Sequence, residues 1–207
     1  GNISADLYFS TDKLTKKDNR LYLAIGGKYR SEHFSMSVGG GGANVAIGGR
    51  KNGLKTAVVG MIGNNVFRKG VMHRLGVAKV NTSLVLFSQK GTNVSVLLLN
   101  SKGEKTAIAH QTSHKHVLED RRVLSHVKKT RAVYFGTLPD AMLHDRKQLT
   151  DELRKHKVMI YTNVGPADCC KPKKYRAELV QTTDALIVNT HELADLVGVK
   201  VEKINFH

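Results

Sequence analysis

Apolar positions along this chain follow two different rhythms. From residue 20 onward they alternate imperfectly, with Leu21, Leu23 and Ile25 before Gly26-Gly27 and Phe34, Met36 and Val38 after it. A period of two predicts a pair of antiparallel strands over 20–37 with one face covered and one open. Residues 92–99 and 104–109 flank Asn100-Ser101-Lys102-Gly103, a strong hairpin signal. The two hairpins together predict a small sheet set apart from the main body.

Elsewhere the chain switches to helix and strand in turn. The run Thr56-Ala57-Val58-Val59-Gly60 predicts a strand, and Val66, Phe67, Val71 and Leu75 predict a helix near 65–77. Strands are expected at 132–135, 158–161 and 185–188, with helices near 143–156, 173–181 and 191–197. Short apolar strands separated by amphipathic helices predict an α/β fold, a mostly parallel sheet with helices on both faces. A ligand of such a sheet sits beyond the carboxyl ends of its strands. Those ends carry Gly60 to Asn64, Gly136-Thr137-Leu138-Pro139, Asn163 and Asn189-Thr190-His191-Glu192, all rich in glycine or polar residues.

Between the two regimes stands Val38-Gly39-Gly40-Gly41-Gly42-Ala43-Asn44, followed by small residues up to Gly53. Such a turn lets the backbone adopt positive φ and approach a ligand closely. A helix starting there would aim its first free N–H groups at whatever fills the turn. A flexible glycine linker is the alternative, but linkers are not followed at once by helix and strand patterns.

Composition narrows the setting. The 207 residues, 41% hydrophobic and 24% charged, describe a globular protein with one sizeable core. No apolar run reaches the roughly 20 residues of a membrane span, and no export signal is evident, so a cytoplasmic protein away from membranes is expected. Cys169 and Cys170 are adjacent, which disfavours a relaxed disulfide and agrees with a reducing compartment. The formal charge of +16 raises affinity for nucleic acid or other polyanions, although the basic residues are spread along the sequence. His114 and His116 form a His-x-His pair without evident partners.

In register, these segments resemble the ribokinase-like (PfkB) carbohydrate and nucleoside kinases over essentially the whole chain. Gly1-Asn2-Ile3-Ser4-Ala5-Asp6 is similar to the end of that family's first strand. Gly39 to Asn44, Gly53 and Val59-Gly60-Met61-Ile62-Gly63 match its first signature. Gly91 to Val96 and Gly103 to Thr106 are similar to its lid strands, placing a lid roughly at 8–37 and 89–110 of a partial kinase domain, 1–207. Asn189-Thr190-His191-Glu192 matches its Asn-x-x-Glu motif.

The resemblance implies ATP-dependent phosphorylation of a sugar or nucleoside hydroxyl, with ATP and Mg²⁺ as cofactors. Asp6, Gly40, Gly41 and Asn44 would bind substrate; Asn189 and Glu192 would position phosphate and, indirectly, magnesium. The residues themselves agree, because a ring of hydroxyls needs carboxylate and amide groups with little bulk around them. Each has a plainer role. Asp6 could cap a turn, Asn44 could bond its own helix, and Glu192 could steady a helical first turn. Asp140 and Asp145 could each approach a site, though capping the helix near 143 is the plainer account.

Departures matter as well. Gly48 and Gly49 stand where the family has alanines, and Asn64 and Asn65 where an acidic residue is common. The family's Asp-Thr-x-Gly-Ala-Gly-Asp signature, source of the catalytic base and the anion hole, is not among these residues, and the sequence ends at His207. The expectation is a piece lacking the start of the first strand and the ATP-binding half, inactive and unstable alone. A second reading is a non-catalytic, kinase-derived subunit that binds RNA or another polyanion in an assembly. A third, an NAD-binding domain, lacks the Gly-x-Gly-x-x-Gly turn directly after a first strand. A strand-built lid can also serve as a homodimer surface in this family.

Overall fold

A computed structural model describes residues 1–204 except 19, 90 and 139. Pro139 of the Gly136–Pro139 turn, Lys90 within the expected lid and His207 therefore lie outside the described residues. Strand β1 (Ser4–Ser10) is followed by a short ribbon of β2 (Thr15–Lys17) and β3 (Arg20–Tyr22), then by β4 (His33–Gly39). Next come α1 (Gly41–Lys51), β5 (Gly60–Gly63), α2 (Phe67–Val77) and β6 (Val85–Ser88). The hairpin β7 (Asn93–Leu99) and β8 (Lys105–His110) leads to α3 (Arg121–Val127), β9 (Ala132–Phe135), α4 (Leu143–Lys155) and β10 (Met159–Asn163). Then follow α5 (Pro166–Cys169), α6 (Lys173–Gln181), β11 (Ala185–Ile187) and α7 (Thr190–Val197), with a 3-10 turn at Val201–Lys203 last among the described residues.

The strands do not form one mostly parallel sheet: the four-stranded sheet is mixed, while β5–β6 and β9–β10–β11 are parallel throughout. Parallel pairing joins β1 to β7, β5 to β6, and β10 to both β9 and β11. Antiparallel pairing joins β1 to β4, β7 to β8 and β2 to β3. The expected hairpin over 20–37 does not form. Leu21 pairs with Lys16, while Phe34, Met36 and Val38 pair with Phe9, Leu7 and Ala5 of β1. Seven-residue β1 offers β4 an apolar partner at every second position, and the Phe9 and Phe34 rings meet at 5.0 Å between centroids. The polar three-residue β2 and the exposed stretch after Tyr22 offer nothing comparable.

Nor does this four-stranded sheet, in the order β4-β1-β7-β8, stand apart from the main body. Ile3 and Ala5 are completely buried and join Ala43, Ala46, Ile62, Val71, Leu75 and Val85 in one core, with Val38 and Val94 packed against it. The strand expected at 56–60 is shifted. Only Ala57 bridges, to Asn81, and the ladder starts at Gly60 opposite Val85. In the second half, α3 and α4 cover β9 and β10 through Val123, Val127, Leu149, Leu153, Phe135 and Ile160. The other face meets α1 at Tyr134, but Met159 and Ile187 remain about half exposed there, so helices do not cover both faces throughout.

The two unusual glycines of α1 differ. A Cβ on Gly49 would stand 2.8 Å from Thr56 Cγ2, so its bareness lets the following strand approach. Gly48 has open space around it.

Candidate functional site

Register across the four-stranded sheet assembles the centre of the site. Side chains of a strand alternate between faces, and Asp6 pairs with Ser37 on one side and Ser95 on the other. Ser95 pairs in turn with Ala109. A row Ser37–Asp6–Ser95–Ala109 thus crosses the sheet on the face opposite the core residues Ala5 and Val38. Ser4 Oγ donates to Asp6 Oδ1 at 2.7 Å, leaving Oδ2 for another donor. Nothing in the sequence marks Ser37 and Ser95, because only the pairing of β4 and β7 with β1 brings them beside Asp6.

The glycine turn fits around this row. A Cβ on Gly39 would fall on the Asp6 carboxylate, so the carboxylate occupies the place of the missing side chain. Gly40 has φ 88°, a conformation that side chains resist, and a Cβ there would lie 2.5 Å from Asn2 O. Helix α1 starts at Gly41, but its N–H groups are less free than expected. Gly42 N and Ala43 N both donate to Asn2 O, at 3.0 and 3.3 Å. Closely packed backbone absorbs them. Asn93 fixes that backbone in turn: its Nδ2 donates to Asn2 Oδ1 and to Ile3 O, and its Oδ1 accepts from Thr112 N at 2.6 Å. Asn44 closes the first turn of α1, its N–H donating to Gly40 O at 2.9 Å, and is exposed. Among the described residues its side chain makes no hydrogen bond, so it is not spent on its own helix.

Asn189 and Glu192 come together in a reciprocal cap of α7. Asn189 Oδ1 accepts from Glu192 N at 2.8 Å, and Glu192 Oε2 accepts from Asn189 N at 2.9 Å. Asn163 Nδ2, at the end of β10, reaches the same Oε2 at 3.4 Å and Ile187 O at 2.8 Å. The plainer role of Glu192 is therefore real, yet it uses one carboxylate oxygen. The other, Oε1, is a hard donor of the kind magnesium takes, directly or through water.

Tyr134 connects the two groups. Its hydroxyl lies 3.2 Å from the point a Cβ of Gly41 would occupy. Burial, then the negative charge of Glu192, pushes its phenol above the ordinary range. Nothing in the apolar run 132–135 marks this tyrosine; its position depends on the bare backbone of Gly41. Asp140 and Asp145 stay outside the constellation, and the cap of α4 is Met142 rather than either of them. His114 is buried and His116 pairs with Glu119 at 3.1 Å.

One part of the arrangement is a carboxylate flanked by serine hydroxyls beside a backbone turn, and the other is a second carboxylate with two amides. Comparison with known proteins identifies the class. The model of the pfkB family carbohydrate kinases matches residues 4–205, and the chain belongs to that family. It is similar to the ribokinase of Arabidopsis thaliana solved with ribose and ATP, at 24% identity and a TM-score of 0.76, covering 99% of this chain and 63% of that one. A Burkholderia thailandensis nucleoside kinase solved with inosine aligns at 14% identity and TM-score 0.72, over 98% of this chain and 64% of that one. An ATP-dependent 6-phosphofructokinase of Thermoanaerobacterium thermosaccharolyticum is 23% identical over 138 residues, 65% of this chain and 42% of the relative. The chain thus spans less than two thirds of the length of each. Among the described residues no helix is long and apolar enough to cross a membrane.

Proposed function

We propose that this protein serves ATP-dependent phosphorylation of a sugar or nucleoside hydroxyl, the present residues supplying mainly the substrate-binding groups. The observation that carries the reading is the Asp6 carboxylate set over Gly39, in a row with Ser37 and Ser95 and beside the start of α1. A carboxylate accepts hydrogen bonds from two neighbouring hydroxyls and fixes a sugar ring in rotation. Gly40 and Gly41 let the ring approach the backbone, and Asn44 supplies an amide that donates and accepts. Ribose and inosine, bound by the solved relatives, share such a hydroxylated ring, which supports the substrate class.

The cofactors of this reading are ATP and Mg²⁺. Asn189 and Glu192 would face the phosphates, with Glu192 Oε1 holding the ion through water. Magnesium would neutralise phosphate charge. The catalytic base and anion hole belong to the signature absent from these 207 residues. These residues alone therefore bind substrate and turn over no ATP. A cytoplasmic setting and a homodimer through the four-stranded sheet complete the proposal.

Calorimetric titration with D-ribose, D-fructose and inosine tests it. At least one is expected to bind, and Asp6→Asn should weaken that binding about 10- to 100-fold, the loss of a charge-assisted pair of hydrogen bonds. Absence of binding by all three, or equal binding by the variant, would overturn the reading.

A further inference from the structure

A sugar site gives no account of a net charge of +16. The fold gathers part of that charge at one place. The turn between α3 and β9 carries Lys128, Lys129 and Arg131, and the end of α4 with the turn that follows it carries Arg154, Lys155, His156 and Lys157. Strands β9 and β10 pair in parallel from Ala132 opposite Met159, and Met159 N donates to Arg131 O at 3.0 Å. The two turns therefore lie side by side at the amino ends of the strands. The candidate site uses the carboxyl ends, at Asn163 and past Phe135. The cations occupy the opposite pole.

Carboxylates there are too few to neutralise them. Glu152 serves Lys128 at 2.9 Å, Lys155 at 3.1 Å and His156 at 3.7 Å, and these lysines hold its carboxyl at about 2. Asp184 reaches Arg154 at 3.8 Å. Lys129, Arg131 and Lys157 are exposed, and no carboxylate among the described residues pairs with them. Basic residues in a last helical turn answer the helix dipole, which accounts for Arg154 and Lys155. It does not account for Lys129, Arg131 and Lys157, which lie beyond the helix ends. Lys157 also holds φ 57°, and Lys79, just past α2, holds φ 56°. Glycine or asparagine is the ordinary occupant of that conformation after a helix. Here a lysine takes it.

We propose that Lys128, Lys129, Arg131, Arg154, Lys155 and Lys157 form a surface that binds the phosphate backbone of a nucleic acid without reading its sequence. Cations on two adjacent turns can meet successive phosphates, and each contact releases condensed counterions. Neither turn contains a Phe, Tyr or Trp for base stacking, and the one ring there, His156, lies 3.7 Å from Glu152, so contact is confined to the backbone. Neither contains the apolar anchor that a membrane-surface segment uses.

Fluorescence anisotropy with two labelled duplexes of unrelated sequence tests this, with salt varied. Both duplexes should bind alike, and log K should fall steeply with log salt. The triple variant K129E/R131E/K157E should lose at least about tenfold in affinity and flatten the salt slope by about 3, one unit per lost phosphate contact. The variant K171E/K173E/K174E changes net charge equally at another place and should bind as the parent does. Thermal melting of both variants checks that they are folded. No binding by the parent, or equal loss in both variants, would overturn the proposal. So would binding to vesicles containing phosphatidylserine but not to either duplex. Sugar titration does not enter, so failure here is separate from failure of the kinase reading.

Discussion

The carboxylate of Asp6 stands where Gly39 has no side chain. The two residues sit on adjacent antiparallel strands, Gly39 opposite Ser4 and Asp6 opposite Ser37, so the carboxylate leans along the strand over bare backbone. A methyl group at 39 has nowhere to go unless Asp6 moves. Gly39→Ala should therefore cost about 1–3 kcal/mol, the range for overpacking a tight site, and weaken sugar binding as strongly as Asp6→Asn. In the Asp6→Ala background the same substitution should cost much less, because the clashing group is gone. A double-mutant cycle by chemical denaturation measures the difference. Strict additivity would show that the two side chains do not compete for this space.

The glycines of α1 make opposite predictions. Gly48 lies in a helix interior with nothing within 4 Å of an added Cβ. Gly48→Ala should stabilise by about 0.5–1 kcal/mol, mostly by restricting the unfolded chain. Gly49→Ala meets Thr56 Cγ2 at 2.8 Å and should lose that gain or destabilise outright. Denaturation midpoints of the two variants, compared at equal m-value, check the contrast.

At α7 the reciprocal bonds of Asn189 and Glu192 separate stability from chemistry. Asn189→Ala should cost about 1 kcal/mol, the usual value of a helix cap. Glu192→Gln keeps an oxygen able to accept from Asn189 N and so should cost less, while removing the charge proposed to face magnesium. Thermal melts of the two variants give the order. A larger loss for Glu192→Gln would mean that its charge, rather than the cap, supports the helix.

Local chemistry was readable in the sequence and long-range register was not. The turn at 100–103 is an example of the first kind. Asn100 Oδ1 accepts from Lys102 N and Glu104 N, and Gly103 takes φ 76°, all within five residues. The glycine turn and the Asn189–Glu192 pair are local in the same sense. By contrast, β4 had two strands to choose between, and only the apolar side chains of β1 decided for Phe9 over Leu21. Ser37 came to stand beside Asp6 through that choice. The basic pole emerged in the same way, from parallel pairing of strands 27 positions apart at Ala132 and Met159. Helix α3 escaped periodicity because it is short, although Asp120 caps it by accepting from Arg122 N and Val123 N.

Buried His114 gives the fold a defined acid sensitivity. The ring is fully buried, and Nδ1 lies 2.9 Å from Thr112 O, which can only accept, so the proton sits on Nδ1. Nε2 is then bare and has no partner among the described residues. Charging the ring would bury an unpaired N–H, and burial first of all lowers its pKa from 6.5 to about 4. The unfolded chain takes up this proton near 6.5 and the folded chain does not, so stability is full above 6.5 and declines as pH falls toward 4. The decline attributable to this group is roughly 3 kcal/mol across that window. His114→Leu should flatten it, whatever the variant does to stability at neutral pH. Urea denaturation at half-unit steps from pH 7 to 4 provides the measurement, with the variant subtracting the carboxylates common to both proteins. Parallel profiles for the two proteins would mean that His114 is protonated in the folded state after all.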